Sequence, residues 1–263
     1  MKKFKMKRSY LALPYAVWLT IFFFVPMLFI LFYAFMTKEA PQEFTFKHIT
    51  AVFSSTYVQG FLRSIFYGFL VTLICLILGY PVAYVLSQKR FKLGGIVVVL
   101  FILPMWINFL IRTLALKSLF YSLGIALGKG TAIAGMVYDF LPFMILPIYT
   151  TLLKIDKNLI EASEDLGAPP FTVILKTVLP LSVPGIISGC LMVFMPSMST
   201  YAISDTLSGG NFPLIGTLIR LNYNNNWGLS SAIAIIMLIF IFISMLISYK
   251  FNDKEELKGG GLW

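Results

Sequence analysis

The sequence predicts an all-α polytopic membrane protein with six transmembrane helices, and three observations predict it. Hydrophobic residues make up 59% of the 263-residue chain and charged residues only 12%. That is more apolar surface than one soluble core can hide, so lipid must be part of the solvent. Runs free of Lys, Arg, Asp and Glu reach the roughly 20 residues a helix needs to cross a bilayer core. These runs are continuous rather than alternating over about ten residues, which excludes a membrane β-barrel.

The first span lies between Arg8 and Lys38 (Ser9 to Thr37), after the basic segment MKKFKMKRSY. Its apolar run far exceeds a signal peptide's apolar region of about 7 to 15 residues and no small-x-small site follows, so it is expected to stay uncleaved. The second runs from Ser64 to Gln88 and the third from Leu93 to Ile111. The fourth, Gly130 to Leu153, carries Asp139 inside it. The fifth runs from about Ser182 to Ser204 and the sixth from about Gly228 to Tyr249.

Basic residues resist transfer across the membrane, which orients the bundle. With both termini in the cytoplasm, fourteen of the 21 Lys and Arg residues lie inside, among them Lys2, Lys3, Lys5, Lys7, Arg8, Lys89, Arg90 and Lys92. The net charge of +10 is then explained by topology and anionic lipid; no basic-aromatic patch or soluble module points to nucleic acid. Cys75 and Cys190 each sit alone in an apolar run and are expected to be small packing residues. His48 is alone in the first external loop and expected to be solvated. No metal, cofactor or nucleotide motif is encoded, and no catalytic group is identified.

Two internal loops follow from this topology. The first, SQKRFKLGG, is a short basic turn. The second, residues 154–181, is long enough to fold. Ile155, Leu159, Ala162 and Leu166 recur at spacings of four, three and four, one apolar stripe along a helix. Gly167 follows where a left-handed cap is wanted, and Pro169 and Pro170 stop simple continuation. A second helix starts at Pro170 with Phe171, Ile174, Leu175 and Val178 on one side, until Pro180 and Pro184 interrupt it. By periodicity alone this hairpin suits an inner leaflet as well as a protein partner. Four acids in ten residues, Asp156, Glu161, Glu164 and Asp165, would repel an anionic leaflet and favour the partner.

The stretch EASEDLGAPPFTVILKTVLP (161–180) resembles the EAA signature of inner-membrane permeases in binding-protein-dependent ABC importers: Glu-Ala-Ala, three residues, Gly, nine residues, Ile, one residue, Leu-Pro. Glu161, Ala162, Gly167, Leu179 and Pro180 fall on its register, while Ser163 replaces the second alanine and Thr177 the isoleucine. The segments LPMWINFLIRTLALKSLF, VYDFLPFMILPIYTTLLKIDKNLIEASEDLGA, LPLSVPGIISGCLMVFMPSMSTYAISDTLSGG and PLIGTLI extend the likeness to permeases of spermidine/putrescine importers. That resemblance implies one type I ABC importer permease domain over 1–263. It also implies a homologous second permease as heterodimer partner, two copies of a cytoplasmic ATPase that bind ATP and Mg, and an external substrate-binding protein. Glu161, Ala162, Ser163, Gly167, Leu179 and Pro180 would form the ATPase-coupling element.

Polyamines are flexible multiple cations, so a path for them should offer carboxylates and aromatic faces. Trp106, Tyr138, Asp139, Tyr201 and Asp205 have that chemistry, and most of the aromatics serve equally as belt or core residues. Ser197, Thr200, Tyr201 and Ser204 follow Pro196 at helical spacing and are expected to form a polar wall. An acid at membrane depth is costly, so Asp139 either lines the path or pairs with Arg112. Permeases for iron(III), sulfate or phosphonate would share the docking loop; an intramembrane acid suits cations over free anions. A channel or secondary carrier would need no ATPase-facing loop and often shows internal repeats, which are not found. A membrane hydrolase would need paired catalytic groups in a motif, which Asp139 and Asp205 do not form.

Overall fold

In a computed structural model, residues 13–37, 43–88 and 93–259 are described, and nearly all of them are helical. In chain order the helices are α1 (Pro14–Ala34), α2 (Lys47–Val52), α3 (Ser55–Ser87), α4 (Gly94–Trp106), α5 (Phe109–Ser122), α6 (Lys129–Leu152), α7 (Lys157–Asp165), α8 (Pro170–Ser199), α9 (Ala202–Ser208), α10 (Ile215–Tyr223) and α11 (Trp227–Gly259). Five of them, α1, α3, α6, α8 and α11, are long and apolar enough to cross a membrane, or six spans if the bent pair α4–α5 counts as one. The basic N-terminal residues Lys2 to Arg8 and the basic turn at Lys89, Arg90 and Lys92 lie outside the described residues.

The fourth span agrees with its apolar run within one residue at each end. The second begins earlier than expected, because α3 starts at Ser55 and carries Arg63 exposed on its surface. A charge ends a hydropathy run without ending a helix. The third span departs most from expectation. A straight run from Leu93 to Ile111 was predicted, but α4 tightens into a 3₁₀ turn at Leu103–Trp106, Ile107 is extended, and α5 leaves at 95°. Pro104 starts the tightened turn, and the Asn108 side chain caps α5 by accepting from the Leu110 N–H at 2.9 Å. Capping and proline chemistry made the break, and hydropathy is blind to both.

The interruption predicted at Pro180 and Pro184 is likewise corrected. Helix α8 runs unbroken from Pro170 to Ser199. It does so through a widened π turn at Ile174–Val178, just ahead of Pro180, whose nitrogen has no proton for an α-turn. The fifth span then ends at Ser199 rather than Ser204, with Thr200 extended (ψ 134°) between α8 and α9.

The chain divides into two compact units, Met1–Val58 with Ile219–Phe240, and Gln59–Leu218 with Ile241–Trp263. In the first, the spanning window of α1 has no buried residue, and Tyr33 meets Trp227 edge-on at 4.5 Å between ring centres. His48, expected to be solvated, is half-buried, with Nε2 3.2 Å from the Met36 carbonyl and its ring against Gly228. A glycine in the first turn of α11 leaves the space its ring occupies.

In the second unit α6 packs chiefly on α8 and α9. Its core includes Val71, Met136, Met144, Ile145, Ile148 and Leu207, all buried. Small residues on α8 allow the close approach: a side chain at Gly185 would come within 2.9 Å of the Pro147 carbonyl, and one at Gly189 within 2.8 Å of the Met144 sulfur. Cys75 is buried and Cys190 partly so, both as free thiols in this packing.

Candidate functional site

Residues 154–181 form a capped and packed elbow. The Asp156 side chain caps α7 by accepting from the Asn158 N–H at 3.0 Å. At the other end the Gly167 N–H donates to Glu164 O (2.8 Å) and the Ala168 N–H to Ser163 O (3.2 Å). That pair of bonds is a Schellman cap, and it needs the left-handed backbone that Gly167 adopts at φ +79°. Pro169 is the N-cap of α8, and Pro170 opens it where no backbone proton is required.

One side-chain contact ties α7 to α8. The Ser163 hydroxyl donates to Leu159 O at 2.8 Å, so the Thr177 hydroxyl donates to Ser163 across the elbow at 3.0 Å. Behind it Val173 and Val178 are buried, with Ile155 and Ile160 packed against the same core. The apolar stripes read from spacing divide between the two sides of the elbow, Ile155 and Val178 turning to the core. Leu159, Ala162 and Leu166 face outward, Leu166 at 89% exposure, as do Phe171 (71%) and Leu175. The exposed members of the stripes, Leu159, Ala162, Leu166, Phe171 and Leu175, form an apolar surface on the same elbow as the exposed Glu161, Glu164 and Asp165. Leu179 is half-buried and Pro180 exposed on the continuing helix.

A second feature is an open cavity of about 600 Å³, lined by Trp106, Asn108, Arg112, Asp139, Thr200 and Tyr201 among others. The bend between α4 and α5 brings Trp106, Asn108 and Arg112 to it, and the break after α8 brings Thr200 and Tyr201. Arg112 Nη2 lies 3.1 Å from Asp139 Oδ1, with the side chains 10% and 3% exposed. Asp139 thus pairs with Arg112 and also contributes to the cavity lining.

Three expected pathway residues lie elsewhere. Tyr138 borders a separate cavity with Val97, Leu141 and Pro142. Ser197 is fully buried, its hydroxyl donating to Phe194 O at 2.9 Å inside the helix packing. Asp205 is half-buried on α9, outside the lining of the 600 Å³ cavity. The helical polar face that grouped Ser197 with Thr200, Tyr201 and Ser204 does not exist, because extended backbone at Thr200 turns α9 away from the direction of α8.

Residues 3–255 match the family described as the binding-protein-dependent transport system inner membrane component. The chain belongs to that family. It is therefore a multi-pass membrane protein with the permease role of a transport system. Two spermidine/putrescine transport system permease proteins PotB are similar along nearly their whole length. That of Escherichia coli (strain K12) is 32% identical, covering 92% of this chain and 98% of the relative. That of Haemophilus influenzae is 34% identical, covering 92% and 94%. A chain of a bacterial ABC transporter involved in the import of the acidic polysaccharide alginate matches with a TM-score of 0.67, 17% identity and 94% coverage of each chain. The architecture is the type I fold of ABC importer permeases.

The two departures from the signature that residues 161–180 resemble are one event in space: Ser163 and Thr177 bond to each other. Spacing alone does not reveal it, since fourteen residues separate them. Asn108, Phe140 and Phe143 also line the cavity and were not anticipated. Phe143 sits one helical turn from Asp139 and so shared its face in the sequence; Asn108 was legible only as a helix cap.

Proposed function

We propose that this permease is one transmembrane subunit of an ATP-driven importer of polyamines, spermidine and putrescine. It would act beside a homologous second permease, two copies of a cytoplasmic ATPase and an external binding protein. Two relatives at 32% and 34% identity over 92% of the chain carry the cargo assignment, since both are spermidine/putrescine permeases. The argument from an acid at membrane depth is weaker than the sequence promised, because Arg112 neutralises Asp139.

In this reading both termini and the elbow are cytoplasmic, in a bacterial inner membrane. The acidic apolar ridge, with Glu161 and Ala162 beside Leu159, Leu166 and Phe171, docks on the ATPase. ATP and Mg belong to that partner, and this chain performs no hydrolysis. ATP closes the ATPase dimer and draws the docked elbows together. Helix α8 is the lever: the docking corner lies at its start, and the cavity residues Thr200 and Tyr201 lie just past its end. Its 30 residues span about 45 Å at 1.5 Å per residue. A stiff rod moves both ends together, and the Schellman cap and the Ser163–Thr177 bond keep the corner from absorbing the stroke. The aromatic faces of Trp106 and Tyr201 would receive the passing cation weakly enough to release it.

The test is uptake by proteoliposomes holding the complete complex, with labelled spermidine, putrescine and sulfate. ATP-dependent accumulation of the two amines is expected. Accumulation of sulfate alone, or of amines without ATP, would overturn the proposal.

A further inference from the structure

Among the described lining of the 600 Å³ cavity, Arg112 and Asp139 are the formally charged residues, so their pairing makes that lining neutral. The contact is a single ion-pair approach at 3.1 Å without hydrogen-bond geometry: Arg112 Nε and Nη1, and Asp139 Oδ1 itself, are buried with no hydrogen-bond partner among the described residues. A purely structural arginine strut usually engages a carboxylate with both prongs of its fork and satisfies its remaining protons. Among the described residues no hydrogen-bond acceptor spreads the guanidinium charge, and Asp139 is the carboxylate paired with it. Arg112 also lines the neighbouring cavity that Tyr138 borders, so it is exposed to two open spaces. A positive charge in that position repels any cation entering either space.

We propose that Asp139 is the fixed counter-ion of Arg112, a positioning residue that sets the charge selectivity of the cavity without touching cargo. Paired, the two groups leave a neutral, aromatic-walled space that accepts a multiple cation. Were Asp139 neutral, Arg112 would stand in the wall as a bare cation and exclude the same cargo. This inference rests on the polyamine assignment above, and it reverses the simplest role for an acid in a cation path. Asp139 serves by cancelling a charge, not by binding one.

The two roles separate in a double substitution. Asp139→Asn, Arg112→Gln and the combined R112Q/D139N variant are placed in the complete complex. Initial uptake rates are measured in proteoliposomes for spermidine and putrescine and divided by the amount of assembled complex recovered. A cation about 7 Å from an uncompensated guanidinium at intermediate dielectric feels a repulsion that corresponds to a tenfold or larger loss. Asp139→Asn is therefore expected to lower kcat/KM about tenfold or more. The loss should be greater for triply charged spermidine than for doubly charged putrescine, a dependence that a packing defect does not produce. R112Q/D139N restores a neutral wall and is expected within about threefold of the unsubstituted complex.

A double variant as inactive as Asp139→Asn would mean that cargo needs the carboxylate itself, and would refute the proposal. Equal losses for the two amines would refute it as well. Should Asp139→Asn fail to assemble, Arg112→Gln becomes the reference: retained uptake in both it and the double variant supports the counter-ion role, and a tenfold fall from it to the double variant overturns that role. Absence of amine uptake by the unsubstituted complex would sink the substrate assignment and this inference together, whereas loss confined to the double variant sinks the inference alone.

Discussion

Gly167 offers the sharpest test of the elbow, because its surroundings separate backbone strain from crowding. Its φ is +79°, and a β-carbon built there meets no atom within 4 Å. An alanine would therefore fit the space and still cost about 1–2 kcal/mol, the penalty of an L-residue in the left-handed region. That penalty shifts the balance between formed and open corner by roughly fivefold to thirtyfold. Asparagine tolerates that region better and should fall between glycine and alanine despite its larger side chain. Proline cannot reach a positive φ and removes the bond from the Gly167 N–H to Glu164 O, so the corner should be lost at a cost of about 3 kcal/mol or more. The assay is spermidine transported per ATP hydrolysed in proteoliposomes, with amide exchange across residues 163–170. Coupling should fall in the order Gly, Asn, Ala, Pro while the membrane-inserted protein stays abundant, since Gly167 is exposed. A Gly167→Pro complex with undiminished coupling would refute the rigid-elbow reasoning. An Asn variant worse than Ala would point to size rather than backbone.

Ser163 and Thr177 should behave as a coupled pair. Ser163→Ala strands the half-buried Thr177 hydroxyl, whereas Thr177→Ile leaves Ser163 satisfied by Leu159 O. A double-mutant cycle on thermal stability is expected to give a coupling of about 0.5–1.5 kcal/mol, with S163A/T177I close to the unsubstituted protein; strict additivity would show that the bond is not formed. Trp106, at 85% exposure, supports little of the fold. Trp106→Ala should leave the melting temperature unchanged and raise KM for spermidine by about threefold to thirtyfold, the range of a lost cation–π contact. An unchanged KM would remove Trp106 from the path.

Much of the elbow was legible because its chemistry is local. A glycine at a helix end followed by two prolines specifies a left-handed cap and a restart whatever surrounds it, and Gly167, Pro169 and Pro170 adopt those roles. The facing of its helices was not legible. Ile155 and Val178 share their periodicity with Leu159, Leu166 and Phe171, and nothing in spacing distinguishes the members that pack on their own chain from those left exposed to a leaflet or partner. Similarly, Asp139 and Arg112 were visible as possible partners but not as actual ones, because they sit on different helices, α6 and α5, twenty-seven positions apart.

The kind of spans, the membrane as solvent and the capped corner at Gly167 were determined by the sequence itself, since each depends on composition or on contacts within a few residues. Tertiary structure alone decided three things: the bend at Trp106–Asn108, the continuity of α8 past Pro180, and the gathering of Trp106, Arg112, Asp139 and Tyr201 around one cavity. The physical reason is that hydropathy records only how much a side chain avoids water. Where a helix turns, and which distant side chain it then meets, depends on caps, proline geometry and packing between segments far apart in the chain.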